Sequence, residues 1–68
     1  MVTYMLSETA EGWVLHDDEG RTEVLTGNLN SALLDAARVM RDNGEPVRGG
    51  WALVPNEEVM TLRFTPAA

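Results

Sequence analysis

The residue best suited to chemistry in this sequence is its single histidine, His16, which lies next to Asp17 and Asp18. An imidazole beside a carboxylate can act as a general base or as a metal ligand. Either role needs a nucleophile or a second ligand, and neither occurs here at a recognisable spacing. We therefore predict that His16 is a half-exposed strand residue beside a turn. We also predict no catalytic residue, no bound metal and no cofactor.

Two other short motifs share features with binding loops. The run from Asp17 to Gly20 is acidic, but an EF-hand loop spreads its oxygen ligands over about 12 residues and ends on a bidentate glutamate. Glu23 is the next acid along the chain, so we predict a solvated hairpin tip. The pair Gly49-Gly50 occurs without the lysine of a phosphate loop. We predict a bend or bulge there that lets a strand approach its neighbour.

The charge balance excludes several classes of partner. The 68 residues carry 11 acidic side chains and 5 basic ones, all arginine, for a net charge of -6. So few cations argue against binding a nucleic-acid backbone or an anionic membrane. No apolar run approaches the roughly 18 residues of a membrane span, and no signal peptide is recognisable. We expect a cytoplasmic protein with no nucleic-acid, membrane or small-molecule partner.

The alternation of apolar and polar residues predicts short strands separated by polar turns. The predicted fold class is α+β, a single antiparallel sheet of four to five strands with one helix packed on one face, in the order ββ(β)αββ. It forms one domain over residues 1–65, with a frayed tail at 66–68. We expect Trp13 and Trp51 to be buried in the core. The predicted strands cover residues 2–6, 13–16, 22–26, 51–54 and 59–65.

The helix is predicted from residue 29 to about 43. Asn28 is a good N-cap, with Asn30 or Ser31 as alternatives. Asn43-Gly44 is a stop signal, and Pro46 prevents the helix from resuming. Residues spaced at 100° then separate into a polar arc and an apolar arc facing the sheet. The apolar arc comprises Leu29, Ala32, Leu33, Ala36, Ala37, Val39 and Met40.

Size and surface predict a partner subunit. A domain this small buries only about 60% of the surface of its unfolded chain, and the sequence has no cysteine for a disulfide or a thiolate metal site. One helix shields only one sheet face, so we expect a homodimer or a complex with another protein. Leu34 lies on the polar arc of the helix, among Arg38 and Arg41. These residues form a possible protein interface, with the sheet or its edge strand as the alternative.

A motif pattern adds a family resemblance. The chain carries Tyr4, then Gly12-Trp13-Val14, then Asn28-x-x-x-Ala32-x-x-x-Ala36-Ala37-Arg38, closed by Gly44. Over residues 4–44 this resembles the small bacterial DUF2188-type domains, which implies a pair of strands, a capped helix and a return strand. The chain departs from that family in lacking lysines and in ending with a two-strand hairpin. It is also similar, over less of its length, to the ββα core of HicB-type antitoxins, without their DNA-binding segment. Neither resemblance implies a catalytic residue.

Three functions remain open from the sequence. The leading hypothesis is a non-enzymatic, self-associating module that binds proteins or regulates them. An alternative is an acidic inhibitor from a phage or mobile element that blocks a nucleic-acid-binding protein. A further alternative is a fragment of a HicB-like antitoxin. An inhibitor of the acidic type needs its carboxylates on one continuous face, and most of them lie in predicted turns.

Overall fold

The computed structural model describes residues 2–25 and 27–67. Over these residues the fold is α+β, with a single helix and a five-stranded sheet. The predicted order ββ(β)αββ is confirmed with the third strand present. The elements are β1 (Tyr4–Thr9), β2 (Gly12–Asp17), β3 (Thr22–Leu25), α1 (Leu29–Asp42), β4 (Gly49–Leu53) and β5 (Thr61–Pro66).

The sheet has the spatial order β3-β2-β1-β5-β4, and each pair of neighbouring strands is antiparallel. The first three strands form a meander, whereas β5 inserts between β1 and β4. The helix α1 therefore connects one edge strand, β3, to the other, β4. Leu6 lies at the centre, because it faces Leu15 on one side and Leu62 on the other.

Local signals define both ends of α1. The side chain of Asn28 accepts a hydrogen bond from the Ser31 amide at 2.9 Å, as an N-cap does. At the other end the Gly44 amide donates to the Arg41 carbonyl and the Glu45 amide to the Met40 carbonyl. This pair of bonds is a Schellman motif, and Gly44 takes the positive φ of 77° that the motif requires. The predicted cap and stop are confirmed.

The apolar arc of α1 packs on the sheet. Ala32, Ala36 and Met40 are buried, and the small alanines let the helix approach the strands closely. The core residues of the sheet point to the same side. They are Tyr4, Leu6, Trp13, Leu15, Leu25 and Phe64. Trp13 is buried as expected, whereas Trp51 is only half-buried because it lies on the edge strand β4.

Strand boundaries differ from the prediction in several places. β2 spans Gly12–Asp17 rather than 13–16, and β4 spans Gly49–Leu53 rather than 51–54. β1 runs from Tyr4 to Thr9 rather than from 2 to 6, because its tight turn pairs Thr9 with Gly12. β5 begins at Thr61, so residues 59 and 60 belong to the preceding loop. The sheet also includes Pro66, and the Ala67 amide donates to the Arg48 carbonyl at 2.9 Å. Pro66 is therefore the last residue of β5, and Ala67 is hydrogen-bonded to the residue that precedes β4. The prediction placed position 1 in the domain, position 26 in the third strand and position 68 in the tail. These three positions lie outside the described residues.

Candidate functional site

The strand β4 forms an open edge of the sheet. In an antiparallel ladder, alternate residues turn their N–H and C=O groups toward the same neighbour. The Val54 amide donates to the Thr61 carbonyl at 2.8 Å, and the Arg48 carbonyl accepts from Ala67 at 2.9 Å. Even-numbered residues of this segment thus face β5. It follows that the N–H and C=O groups of Gly49, Trp51 and Leu53 point outward from the free edge.

The side chains of β4 make this edge apolar. Trp51 lies opposite Phe64, with their ring centroids 5.2 Å apart. Leu53 is two residues further along, on the same side of the sheet, and is 63% exposed. The Cα atoms of α1 approach those of β2 and β3 within 8 Å, and among the described residues none approaches β4 or β5 that closely. The helix therefore leaves Leu53 uncovered.

Gly49 sits where no other residue fits easily. Its φ is 153°, and a Cβ there would overlap the Thr65 carbonyl oxygen and lie 2.9 Å from the Phe64 ring. The neighbouring Gly50 has no atom within 4 Å of an ideal Cβ position. Gly49 and Gly50 pair with Pro66 and Thr65 in the regular register of β4, so the predicted bend or bulge is wrong. The predicted close approach occurs at Gly49 alone.

The predicted interface residues lie on the outer side of α1. Leu34 is 75% exposed, and both Arg38 and Arg41 are exposed. Arg38 is bonded to Asp35 at 3.3 Å on the same helix face. The structure thus groups the three residues on one solvent-facing surface, which is separate from the β4 edge.

A polar cluster that the sequence did not reveal lies on the sheet face opposite the helix. The Ser7 hydroxyl is 2.9 Å from His16 Nε2 and 3.1 Å from the Thr61 hydroxyl. These residues come from β2, β1 and β5, and Ser7 and Thr61 are 54 positions apart in sequence. These residues meet only because their strands pair in the sheet. The cluster could therefore have been predicted only from the register of β1 with β5.

The β2–β3 turn is closed by the Asp17 carboxylate, which is almost fully shielded from solvent. One of its oxygens accepts from the amides of Glu19 and Arg21, and the other accepts from Arg21 Nε at 2.7 Å. Burial raises the pKa of Asp17, but these hydrogen bonds and the Arg21 charge outweigh it and hold the pKa below its ordinary value. The acidic run therefore lies at a hairpin tip, as predicted, but Asp17 is buried at the end of β2 rather than solvated, and it stabilises the turn.

A cleft of about 370 Å³ lies between this hairpin and the end of α1. Part of its polar lining is engaged in intramolecular bonds: Asp17 binds Arg21, and Asn43 donates to the Tyr4 hydroxyl at 3.2 Å. His16 lines the cleft, whereas Ser7 does not. The Ser7 hydroxyl is therefore not presented to this cleft.

The acidic residues divide between the two ends of the sheet. The β1–β2 turn and the β4–β5 loop lie side by side, since the Glu8 amide donates to the Met60 carbonyl at 2.9 Å. This end carries Glu8, Glu11, Glu57 and Glu58, which we name the acidic end. The hairpin with Asp17 to Glu19 lies at the opposite end. Within residues 2–25 and 27–67 no group of three or more His, Cys, Asp or Glu residues could hold a metal ion.

Comparison of the chain with protein-family models, with curated proteins and with solved structures finds no match. The resemblance to DUF2188-type domains and to HicB-type antitoxins therefore stays a prediction. In the described part of the chain, the helix is too short and too polar to cross a membrane.

Proposed function

We propose that this protein is a small non-enzymatic module that binds proteins or regulates them, and that it associates with itself. The observation that carries the proposal is the β4 edge, where Leu53 is 63% exposed beside outward-facing main-chain groups. Unpaired edges of this kind are templates for pairing with another strand, and monomeric proteins usually protect them with charges, prolines or bulges. Gly49–Leu53 contains neither a charge nor a proline.

The opposite edge provides an internal comparison. β3 has only four residues, and Glu23 in its middle is exposed and charged. These are features that discourage edge pairing. The two edges therefore differ in the way expected if β4 meets a partner and β3 does not.

The cluster of Ser7, His16 and Thr61 is better explained as a structural contact than as a catalytic site. A serine nucleophile needs a base, a group that orients the base, and donors for the developing oxyanion. Ser7 and His16 lie on an open sheet face and are bonded to each other and to Thr61. In the described residues these hydrogen bonds connect side chains of β1, β2 and β5, which is a structural role.

A second candidate function rests on the acidic end. Four exposed glutamates lie at this end: Glu8 near the end of β1, Glu11 in the β1–β2 turn, and Glu57 and Glu58 in the β4–β5 loop. Such a surface could contact a basic protein in the place of a nucleic acid. The remaining acids lie elsewhere, which limits the continuous acidic face to one end of the sheet.

Each candidate function has its own test, and light scattering after size exclusion tests self-association. Self-association predicts a mass that rises from 7.5 kDa toward twice that value as the concentration increases through the micromolar range. A mass that stays at 7.5 kDa up to the highest soluble concentration would refute it.

The second candidate predicts salt-sensitive retention on immobilised polyarginine, reduced in a variant with Glu57→Gln and Glu58→Gln. The variant Asp42→Gln with Glu45→Gln has the same change in net charge and is its control.

A further inference from the structure

We infer that two copies of this chain pair through β4, antiparallel and in one register, with the two-fold axis at Trp51. This inference rests on the proposed self-association and adds the surface and the alignment. Facing pairs must join residues whose main-chain groups both point outward. With the axis at Trp51, Gly49 faces Leu53 of the partner copy, Trp51 faces its counterpart, and Leu53 faces Gly49. Each facing pair then exchanges two hydrogen bonds.

In other registers, fewer main-chain N–H and C=O groups of β4 find a hydrogen-bond partner in the second copy. With the axis at Ala52, Gly49 would face Pro55, which has no N–H to donate. With the axis at Gly50, Leu53 would face Val47, which lies outside β4. The register centred on Trp51 is therefore the one that keeps every pair within the strand.

The side chains fit the same register. Leu53 projects 63% of its surface to solvent, and it would lie over Gly49 of the partner copy, which has no side chain. Beneath Gly49 lies the Phe64 ring, close enough to meet a Cβ at 2.9 Å. The exposed leucine of each copy would therefore pack over a position of the other that carries no side chain to obstruct it. A two-fold axis makes this contact twice.

The charges favour the antiparallel alignment. Arg48 precedes β4, and the acidic end, with Glu57 and Glu58, follows it. An antiparallel pair brings Arg48 beside the acidic end of the partner copy, whereas a parallel pair would bring like charges together. Attraction between opposite charges supplies specificity and orientation even when its contribution to affinity is small.

The expected dimer is weak. One strand edge and its flanking side chains bury less than the roughly 800 Å² per partner of a standard interface. We therefore expect exchange between monomer and dimer in the micromolar range, which makes covalent trapping the appropriate test.

Gly50 and Ala52 allow the register to be trapped. In the inferred register Gly50 lies opposite Ala52 of the partner copy in a non-hydrogen-bonded pair, where Cα atoms are about 4.5 Å apart, within reach of a disulfide. A side chain at Gly50 meets no atom within 4 Å, Ala52 is exposed, and the chain has no cysteine of its own. Both single variants should therefore fold.

We expect a mixture of Gly50→Cys and Ala52→Cys to form a disulfide-linked dimer on the order of ten-fold faster than either variant alone, because identical positions lie too far apart to bond directly. Equal rates in the mixture and in the single variants would overturn the register. If the wild type dimerises but neither variant nor their mixture is trapped, the β4 interface is wrong while self-association stands. A wild type that stays monomeric refutes both.

A second measurement uses a matched pair of leucines. Leu53→Glu should raise the dissociation constant by about ten-fold to a hundred-fold, since it replaces an apolar contact with a charge. Leu34→Glu makes the same change at a position that is 75% exposed on the helix, and should leave the constant unchanged. The opposite outcome would assign the interface to the surface with Leu34, Arg38 and Arg41 and overturn the inference.

Discussion

Adding one methyl group at Gly49 should destabilise the fold strongly, while the same change at Gly50 should not. Gly49→Ala forces an alanine to a φ of 153° and against the Thr65 carbonyl and the Phe64 ring. A strained backbone conformation costs about 1–3 kcal/mol, and overpacking costs about 1–3 kcal/mol more. We therefore expect the free energy of unfolding to fall by about 2–6 kcal/mol.

This loss is large relative to the total. A chain of this length has a free energy of unfolding of about 3–10 kcal/mol at 0.05–0.15 kcal/mol per residue. Gly50 lies next in sequence, has an ordinary φ and has open space at its Cβ position. Gly50→Ala should leave the free energy of unfolding unchanged or raise it by up to about 1 kcal/mol, because alanine restricts the unfolded chain.

Urea unfolding followed by tryptophan fluorescence measures both variants. With a slope near 1 kcal/mol per molar for a small domain, Gly49→Ala should lower the midpoint by about 2 M or more. The protein concentration must be the same in each experiment, because dimerisation adds to apparent stability. A Gly49→Ala midpoint equal to that of Gly50→Ala would refute the argument, since it would mean that neither the φ nor the close approach constrains position 49.

Three further predictions concern the core, the turn and the helix cap. Leu6→Ala should lower the free energy of unfolding by about 3–5 kcal/mol, whereas Leu53→Ala, at the exposed edge, should lower it by less than about 1 kcal/mol; chemical denaturation compares them. Asp17 has a pKa below its ordinary value of 3.8 in the folded protein, so its contribution is present above pH 3.8 and is lost as the pH falls through the folded pKa. Asp17→Asn should therefore be less stable than the wild type at neutral pH, and the two thermal midpoints should converge in acid; a difference that persists there contradicts the role assigned to the carboxylate. Asn28→Ala should lower the free energy of unfolding by about 1 kcal/mol. Asn30→Ala, at an exposed position in the first turn of α1, serves as its control in the same denaturation series.

The sequence was most informative where structure depends on neighbouring residues. The arc from Leu29 to Met40, the Asn28 cap and the Gly44 stop could be predicted because each depends on contacts within a few positions. The tight turns after β1 and β2 were recognisable for the same reason, although their limits were displaced. Side-chain hydrogen bonds, such as that from Thr9 to the Gly12 carbonyl at 2.8 Å, shorten the first turn in a way that composition does not show.

The candidate site was harder to predict because it depends on strand order. Nothing local to β4 and β5 indicates that β5 lies beside β1 and leaves β4 at the edge. The absence of charge in Gly49–Leu53 was a visible signal, but it becomes meaningful only once that position is known. The contact of Ser7 with Thr61 depends on the same strand order.

The insertion of β5 between β1 and β4 also has a consequence for folding kinetics. The meander of β1, β2 and β3 and the hairpin of β4 and β5 can each form through short loops, whereas joining them requires closure of a segment of about fifty residues between Ser7 and Thr61. Loop-closure entropy is lost before the β1–β5 ladder forms, so this step should set the folding rate. Substitutions of residues that pair β1 with β5 would then slow folding, while substitutions in the β2–β3 hairpin would mainly accelerate unfolding.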